Sequence, residues 1–210
     1  MITKSKNINR NIIRLALIPI ILVTLSTSTG SKVRKMEKLV SAEPIIVTEP
    51  APETQGDLYV FLEAVAQRES NNNAHVVNRI GMLGKYQFSP KTLWSLGAQF
   101  KVTKDQFLGN VALQDSAMVQ YLKDNRQILW DIIVQYDGKW YEGIYITESG
   151  LLAGAHLVGP HGLRAFFDPD YTVRRGDRTI HPRTKDGNGI NVSEYIQKFS
   201  GYDLDALDVG

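Results

Sequence analysis

Apolar positions follow two regimes along this chain. Before residue 57 the longest apolar run is Leu15 to Leu25; from there on apolar positions recur at helical spacing. Asp57 precedes Leu58, Phe61, Leu62, Val65 and Ala66, which stand at i, i+3, i+4, i+7 and i+8. That is the stripe of an amphipathic helix, and aspartate caps a first turn well. The stripe runs out at the polar Ser70-Asn71-Asn72-Asn73. Ser89-Pro90 predicts a second start, with Ser89 as cap and Pro90 at the first helical position. Leu93 and Trp94 fall on its apolar side and Gly97 closes it. Thr103 to Gln106 has capping-box spacing. A longer helix is expected around Val111 to Trp130, with Leu113, Ala117, Tyr121 and Leu122 inward. Thr147-Glu148-Ser149-Gly150 leads into the small, apolar stretch Leu151–Leu157, and Ser193-Glu194-Tyr195-Ile196 begins a last short helix after the turn Asp186-Gly187-Asn188-Gly189. Only Ile132–Val134 and Gly143–Ile146 are strand-like. The pattern predicts a mostly α (α+β) single domain, with at most a small β-hairpin.

The early block changes the picture of what the chain is for. Lys4, Lys6, Arg10 and Arg14 precede it and the small residues Ser26 to Ser31 follow. This is the layout of an export signal, and the apolar run is short for a membrane span, which needs about 20 residues. Residues 1–30 are therefore expected to be a signal peptide or, uncleaved, an N-terminal anchor. Residues 31–56 read as a linker, because Pro44, Pro50 and Pro52 alternate with acidic and small residues. The folded domain is expected over 57–205, in an exported protein of the periplasm, the extracellular space or the cell envelope.

Composition and charge narrow the chemistry. With 210 residues, 43% hydrophobic and 22% charged, the chain is globular in composition. It has no cysteine, which excludes disulfides, zinc-thiolate sites, a cysteine nucleophile and a lipoprotein anchor. Residues 1–56 hold eight Lys/Arg against four Asp/Glu, whereas the rest hold sixteen against eighteen. A slightly acidic body argues against nucleic acid as the ligand. No glycine-rich nucleotide motif occurs, and no cofactor is expected. His156 and His161 are badly spaced for a shared metal, His75 and His181 read as surface residues, and Asp186–Ile190 lacks the acidic positions of a calcium loop. No metal site is expected. Trp94, Trp130 and Trp140 read as core, with Trp140-Tyr141 the best candidate for an exposed pair.

The residues that draw attention are Arg68-Glu69-Ser70, Asn78 and Gly84-Lys85-Tyr86-Gln87-Phe88-Ser89-Pro90. A carboxyl at the C-terminal end of a helix meets the negative pole of the helix dipole, which favours its protonated form. A general acid for a glycosidic oxygen needs such a proton. Tyr86 offers an apolar face and Gln87 an amide, so with Gly84 they could wall a sugar cleft. A solvated helix end followed by a glycine turn is the plainer reading of the same residues.

These segments resemble the lysozyme-like superfamily, in particular the soluble lytic transglycosylases and resuscitation-promoting-factor domains that cleave peptidoglycan. Glu69-Ser70 matches the Glu-Ser pair that ends the family's first helix. Gly84–Pro90 matches its Gly-x-(Met/Leu/Tyr)-Gln-x-x-Pro segment. Ala155-His156-Leu157-Val158-Gly159-Pro160 matches the Ala, Gly and Pro of a third motif, with His156 and Leu157 where Tyr and Asn are expected. The resemblance covers roughly residues 57–167. It implies that Glu69 is the catalytic acid/base on the bond between N-acetylmuramic acid and N-acetylglucosamine, yielding a 1,6-anhydro sugar without water. It implies Ser70, Gly84, Tyr86, Gln87, His156 and Gly159 as substrate-binding residues, with His156 and Gly159 on the far wall and His156 in the role of the Tyr that steadies the Glu. The implied partner is the peptidoglycan glycan strand, with membrane contact only through the N-terminal segment. A hydrolysing muramidase would need a second carboxylate, for which Asp131, Glu142, Glu148, Asp168 and Asp170 are candidates. A wall-binding or assembly protein that kept the fold without turnover is the remaining alternative.

Overall fold

The computed structural model describes residues 55–208. The leader and nearly all of the linker lie outside the described residues. Seven α-helices and two short antiparallel hairpins follow one another: α1 (Leu58–Ser70), α2 (Pro90–Ser95), α3 (Lys104–Leu108), α4 (Val111–Ile128), α5 (Trp130–Tyr136), β1 (Lys139–Tyr141), β2 (Ile144–Ile146), α6 (Glu148–Phe167), β3 (Val173–Arg175), β4 (Arg178–Ile180) and α7 (Val192–Lys198). The fold is mostly helical. None of the described helices is long and apolar enough to cross a membrane.

The helix starts sit where the polar residues put them. Asp57, Ser89, Thr103 and Thr147 each accept a backbone N–H of the turn they open, and Thr103 with Gln106 closes a capping box. The last helix is capped by Asn191 rather than beginning at Ser193, with Glu194 reaching back to complete a second capping box. Two expectations fail. Ile132–Val134 is the middle of α5, with Ile132 and Ile133 buried; a three-residue apolar run does not distinguish strand from helix. The strand Ile144–Ile146 pairs instead with Lys139–Tyr141, across Glu142-Gly143, whose φ values of 48° and 80° suit a primed hairpin turn. The tryptophans also differ: Trp94 and Trp130 are each 56% exposed, while Trp140 and Tyr141 are half-buried.

The core is built around the first half of α6. Leu151, Leu152, Ala153 and Ala155 are fully buried there, among Phe61 and Val65 of α1, Met118 and Leu122 of α4, and Ile196 of α7. Helix α7 lies against α6 because Gly150 leaves room for it. A Cβ at Gly150 would stand 2.6 Å from the Ile196 carbonyl oxygen. Ser149 and Ser200 fasten the contact, donating to Phe199 O and Tyr145 O at 2.8 and 2.9 Å. The first and last described segments are joined by backbone hydrogen bonds. Gln55 N donates to Gly201 O at 2.8 Å and Asp203 N to Gly56 O at 2.7 Å, a parallel pairing of the two chain segments.

Candidate functional site

Glu69 occupies the last turn of α1 and is half-buried. The helix stops beyond it because Asn71 takes a left-handed conformation, φ 53°, and the Asn71 and Asn72 N–H groups return to Gln67 O and Ala66 O. Ser70 does not line the cleft. Its hydroxyl donates to Lys85 O at 2.8 Å and accepts Asn73 N–H at 3.0 Å. It thereby ties the end of α1 to the Gly84–Pro90 loop.

That loop is pinned from behind. Leu83 and Phe88 exchange both backbone hydrogen bonds, at 2.8 and 3.0 Å. Gly84, at φ 71°, presses on the buried Gln114 amide: a Cβ there would come 2.2 Å from Gln114 Oε1. Gln114 in turn accepts Lys85 N–H at 2.8 Å and donates to Ala74 O and Phe107 O, both at 3.0 Å. Tyr86 is not a wall of the cleft. It is 1% exposed, and its hydroxyl donates to Asp115 at 2.7 Å on the opposite side of the loop. Burial, with the Asp115 carboxylate, raises its phenol well above the usual range. Lys85 points the same way, to Glu63 and Asp115. That leaves Gln87 to face the opening, with its Nε2 donating to Gly84 O at 2.9 Å.

Glu69, Gln87, Asn78 and His156 share one open cleft of about 540 Å³. His156 stands edge-on to Phe88 and Tyr121, at ring-centre distances of 5.5 and 5.6 Å. Its Nε2 is 3.0 Å from the Tyr86 carbonyl oxygen, which can only accept, so Nε2 carries the proton. Burial lowers the His156 pKa, opposed by Glu69 and by the bond to Tyr86, and the imidazole is held neutral. Asn78 accepts the Ile80 and Met82 N–H groups at 2.9 and 3.0 Å, shaping its loop. Gly159 is not in this cleft. It breaks α6 at φ 75°, before Pro160, and borders an adjoining groove instead.

The residue that steadies Glu69 is Tyr195, not His156. From α7, 3% exposed, its hydroxyl donates to Glu69 Oε1, and its ring lies 5.8 Å from the Arg68 guanidinium. Burial first, then the Glu69 charge and hydrogen bond, push its phenol far above the ordinary value. Tyr195 therefore remains a donor throughout the physiological range. Its burial on an amphipathic helix signalled that its hydroxyl needed a partner. Nothing local could say that the partner lies 126 positions away.

None of the five carboxylates proposed as a second acid lines the cleft. Asp131 pairs with Arg164 and Glu148 with Arg126. Asp168 accepts Asp170 N–H in its own turn, and Glu142 forms the β1–β2 turn. The second carboxylate in the cleft is Asp186, which the sequence read only as part of a turn. It is that too: it accepts the Asn188 and Ile190 N–H groups at 2.9 and 2.8 Å and the Asn188 side chain at 3.1 Å. Glu69 joins no ion pair among the described residues. Nor, among them, does any group of three or more His, Asp or Glu stand ready to hold a metal ion.

Compared with protein-family models, with curated proteins and with solved structures, the chain matches none of them. The site therefore has to be read from its own chemistry. It offers one carboxyl group outside any ion pair among the described residues, held at one oxygen by a phenol. Around it stand the amides of Asn78, Gln87 and Asn188, a neutral imidazole and a second carboxylate engaged in its own loop.

Proposed function

We propose that the chain is a lysozyme-like enzyme that cleaves the N-acetylmuramic acid–N-acetylglucosamine bond of peptidoglycan by lytic transglycosylation, with Glu69 as its acid and base. In this reading the Glu69 carboxyl gives its proton to the glycosidic oxygen as the C1–O bond breaks. The resulting carboxylate takes the proton of the C6 hydroxyl while O6 bonds to C1, and no water is consumed. One observation carries the reading: Glu69 is the cleft carboxylate without an ion pair or a backbone partner, fixed at one oxygen by Tyr195 and open at the other. Asn78 and Gln87 supply the amides a sugar needs, and the exposed Ile80 with Leu157 offers an apolar surface to a pyranose face. The N-terminal export pattern agrees with a substrate outside the cytoplasm.

Asp186 favours one alternative. A carboxylate in the same cleft is what a hydrolysing muramidase would use to activate water. Against it, Asp186 already accepts three hydrogen bonds from its own loop. The deciding experiment is mass spectrometry of the products released from purified sacculi by the full chain, beside Glu69→Gln. Anhydro-muramyl ends that vanish in the variant support transglycosylation. Reducing ends move the reaction to hydrolysis, with Asp186→Asn as the next variant. Sacculi bound but not cut would leave a wall-binding protein.

A further inference from the structure

Beside the Glu69 cleft lies a second groove, of about 690 Å³, between the broken end of α6 and residues 173–187. The two share Leu157 and Gly187 as a common rim. Val158, Pro160, Val173 and Ile180 give the groove a half-buried apolar floor, and exposed Arg175, Arg183 and Lys185 stand around it. The charge here runs against the rest of the domain. Residues 173–185 hold Arg174, Arg175, Arg178, Arg183 and Lys185 with one acid, Asp177, whereas residues 57–210 as a whole carry an acidic excess. None of these five cations enters an ion pair among the described residues. Arg175 and Arg178 are moreover direct cross-strand partners. Like charges placed opposite each other in a hairpin are unfavourable until an anion comes between them.

We infer that this groove binds the carboxylates of the peptide stem borne by the glycan strand in the cleft, with Arg175, Arg183 and Lys185 as the contacts. The inference rests on the glycan reading of the cleft. Stems branch from the muramic acid lactyl group, and a strand lying across Glu69 directs a branch over the shared rim. They are made largely of alanine and acidic residues, so their methyl groups suit the apolar floor and their carboxylates suit guanidinium forks. The catalytic cleft then reads the sugars and the groove reads what hangs from them.

The test uses the full chain, Arg175→Gln/Arg183→Gln, and Arg174→Gln as a charge control, since strand alternation puts Arg174 on the other face of the hairpin. Retention on purified sacculi and release of soluble glycan are measured with stems intact and after an amidase has removed them. The double variant should lose about tenfold or more in retention and rate on stem-bearing sacculi, as expected for losing charge-assisted contacts. On stripped glycan it should match the parent, and Arg174→Gln should match the parent on both. Equal behaviour of the parent on both substrates, or an equal loss by the double variant on both, overturns the inference. Retention that depends on stems and on Arg175/Arg183 without any cleavage refutes the reading of the cleft and upholds the groove; cleavage indifferent to stems does the reverse. Matching melting temperatures guard against a folding defect, and both side chains are exposed.

Discussion

Tyr195→Phe isolates the hydroxyl that steadies the proposed acid. The ring stays, with its packing on Phe199 at 5.1 Å and the Arg68 guanidinium 5.8 Å away. What is lost is one hydrogen bond to a carboxylate, and such bonds contribute about 1.5–3 kcal/mol. The loss should divide unevenly. Glu69 is half-buried at a cleft, so water can replace the phenol at its oxygen, and global stability should fall by about 1 kcal/mol or less. Positioning is harder to replace, because a solvated carboxylate samples rotamers that miss the glycosidic oxygen. If most of the bond acts on the transition state, the rate falls roughly 10- to 100-fold, at about 1.4 kcal/mol per decade. Initial rates of muropeptide release against sacculus concentration give kcat and KM separately. The expected pattern is a lower kcat with KM nearly unchanged. A rate within twofold of the parent would refute the argument, since the hydroxyl would then hold nothing that matters to catalysis.

Gly84→Ala should destabilise the domain by about 2–4 kcal/mol, from the left-handed backbone and from displacing the buried Gln114 amide; urea unfolding reads this, and a change under 1 kcal/mol would mean the loop shifts freely. His156 is a folded-state group with a lowered pKa, so its contribution is present above its unfolded value near 6.5 and is lost as pH falls below it. Stability should decline between pH 7 and pH 5, and His156→Gln should flatten that slope; parallel slopes for the two proteins would contradict the assignment. Tyr121, half-buried with its hydroxyl on Ala155 O at 3.0 Å, is pushed up to about 12 by desolvation. Its contribution is complete below pH 10 and falls away above it, so Tyr121→Phe should reduce the loss of stability between pH 10 and pH 12, measured by circular dichroism.

The helices were legible because their information is local. Asp57, Ser89, Thr103 and Thr147 cap within a few positions of themselves, and the stripe of α1 needs nothing distant. The failures share a different cause. Gly84, Tyr86 and Gln87 stand together in sequence as a cleft wall, yet a tight loop divides its side chains between two sides. Lys85 and Tyr86 went to Asp115, and Gln87 alone kept the opening. In the sequence Gln114 is one polar residue in a long helix, yet it is fully buried and fixes that loop. Asp186 and Tyr195 reach Glu69's cleft only because α7 and the turn before it fold back across α6. That placement depends on how closely Gly150 lets the helices approach, a distance no spacing rule along the chain encodes.

The pairing of Gln55-Gly56 with Gly201–Asp203 has a mechanical consequence. The two segments run parallel, so a pull between the chain before 55 and the chain after 203 acts along them, in shear. The Gln55 N–Gly201 O and Asp203 N–Gly56 O bonds are then strained together, where an antiparallel clasp would peel open one bond at a time. Pulled between those two points, the domain would take up the tension in these bonds before it reached the helix that holds Tyr195 over Glu69.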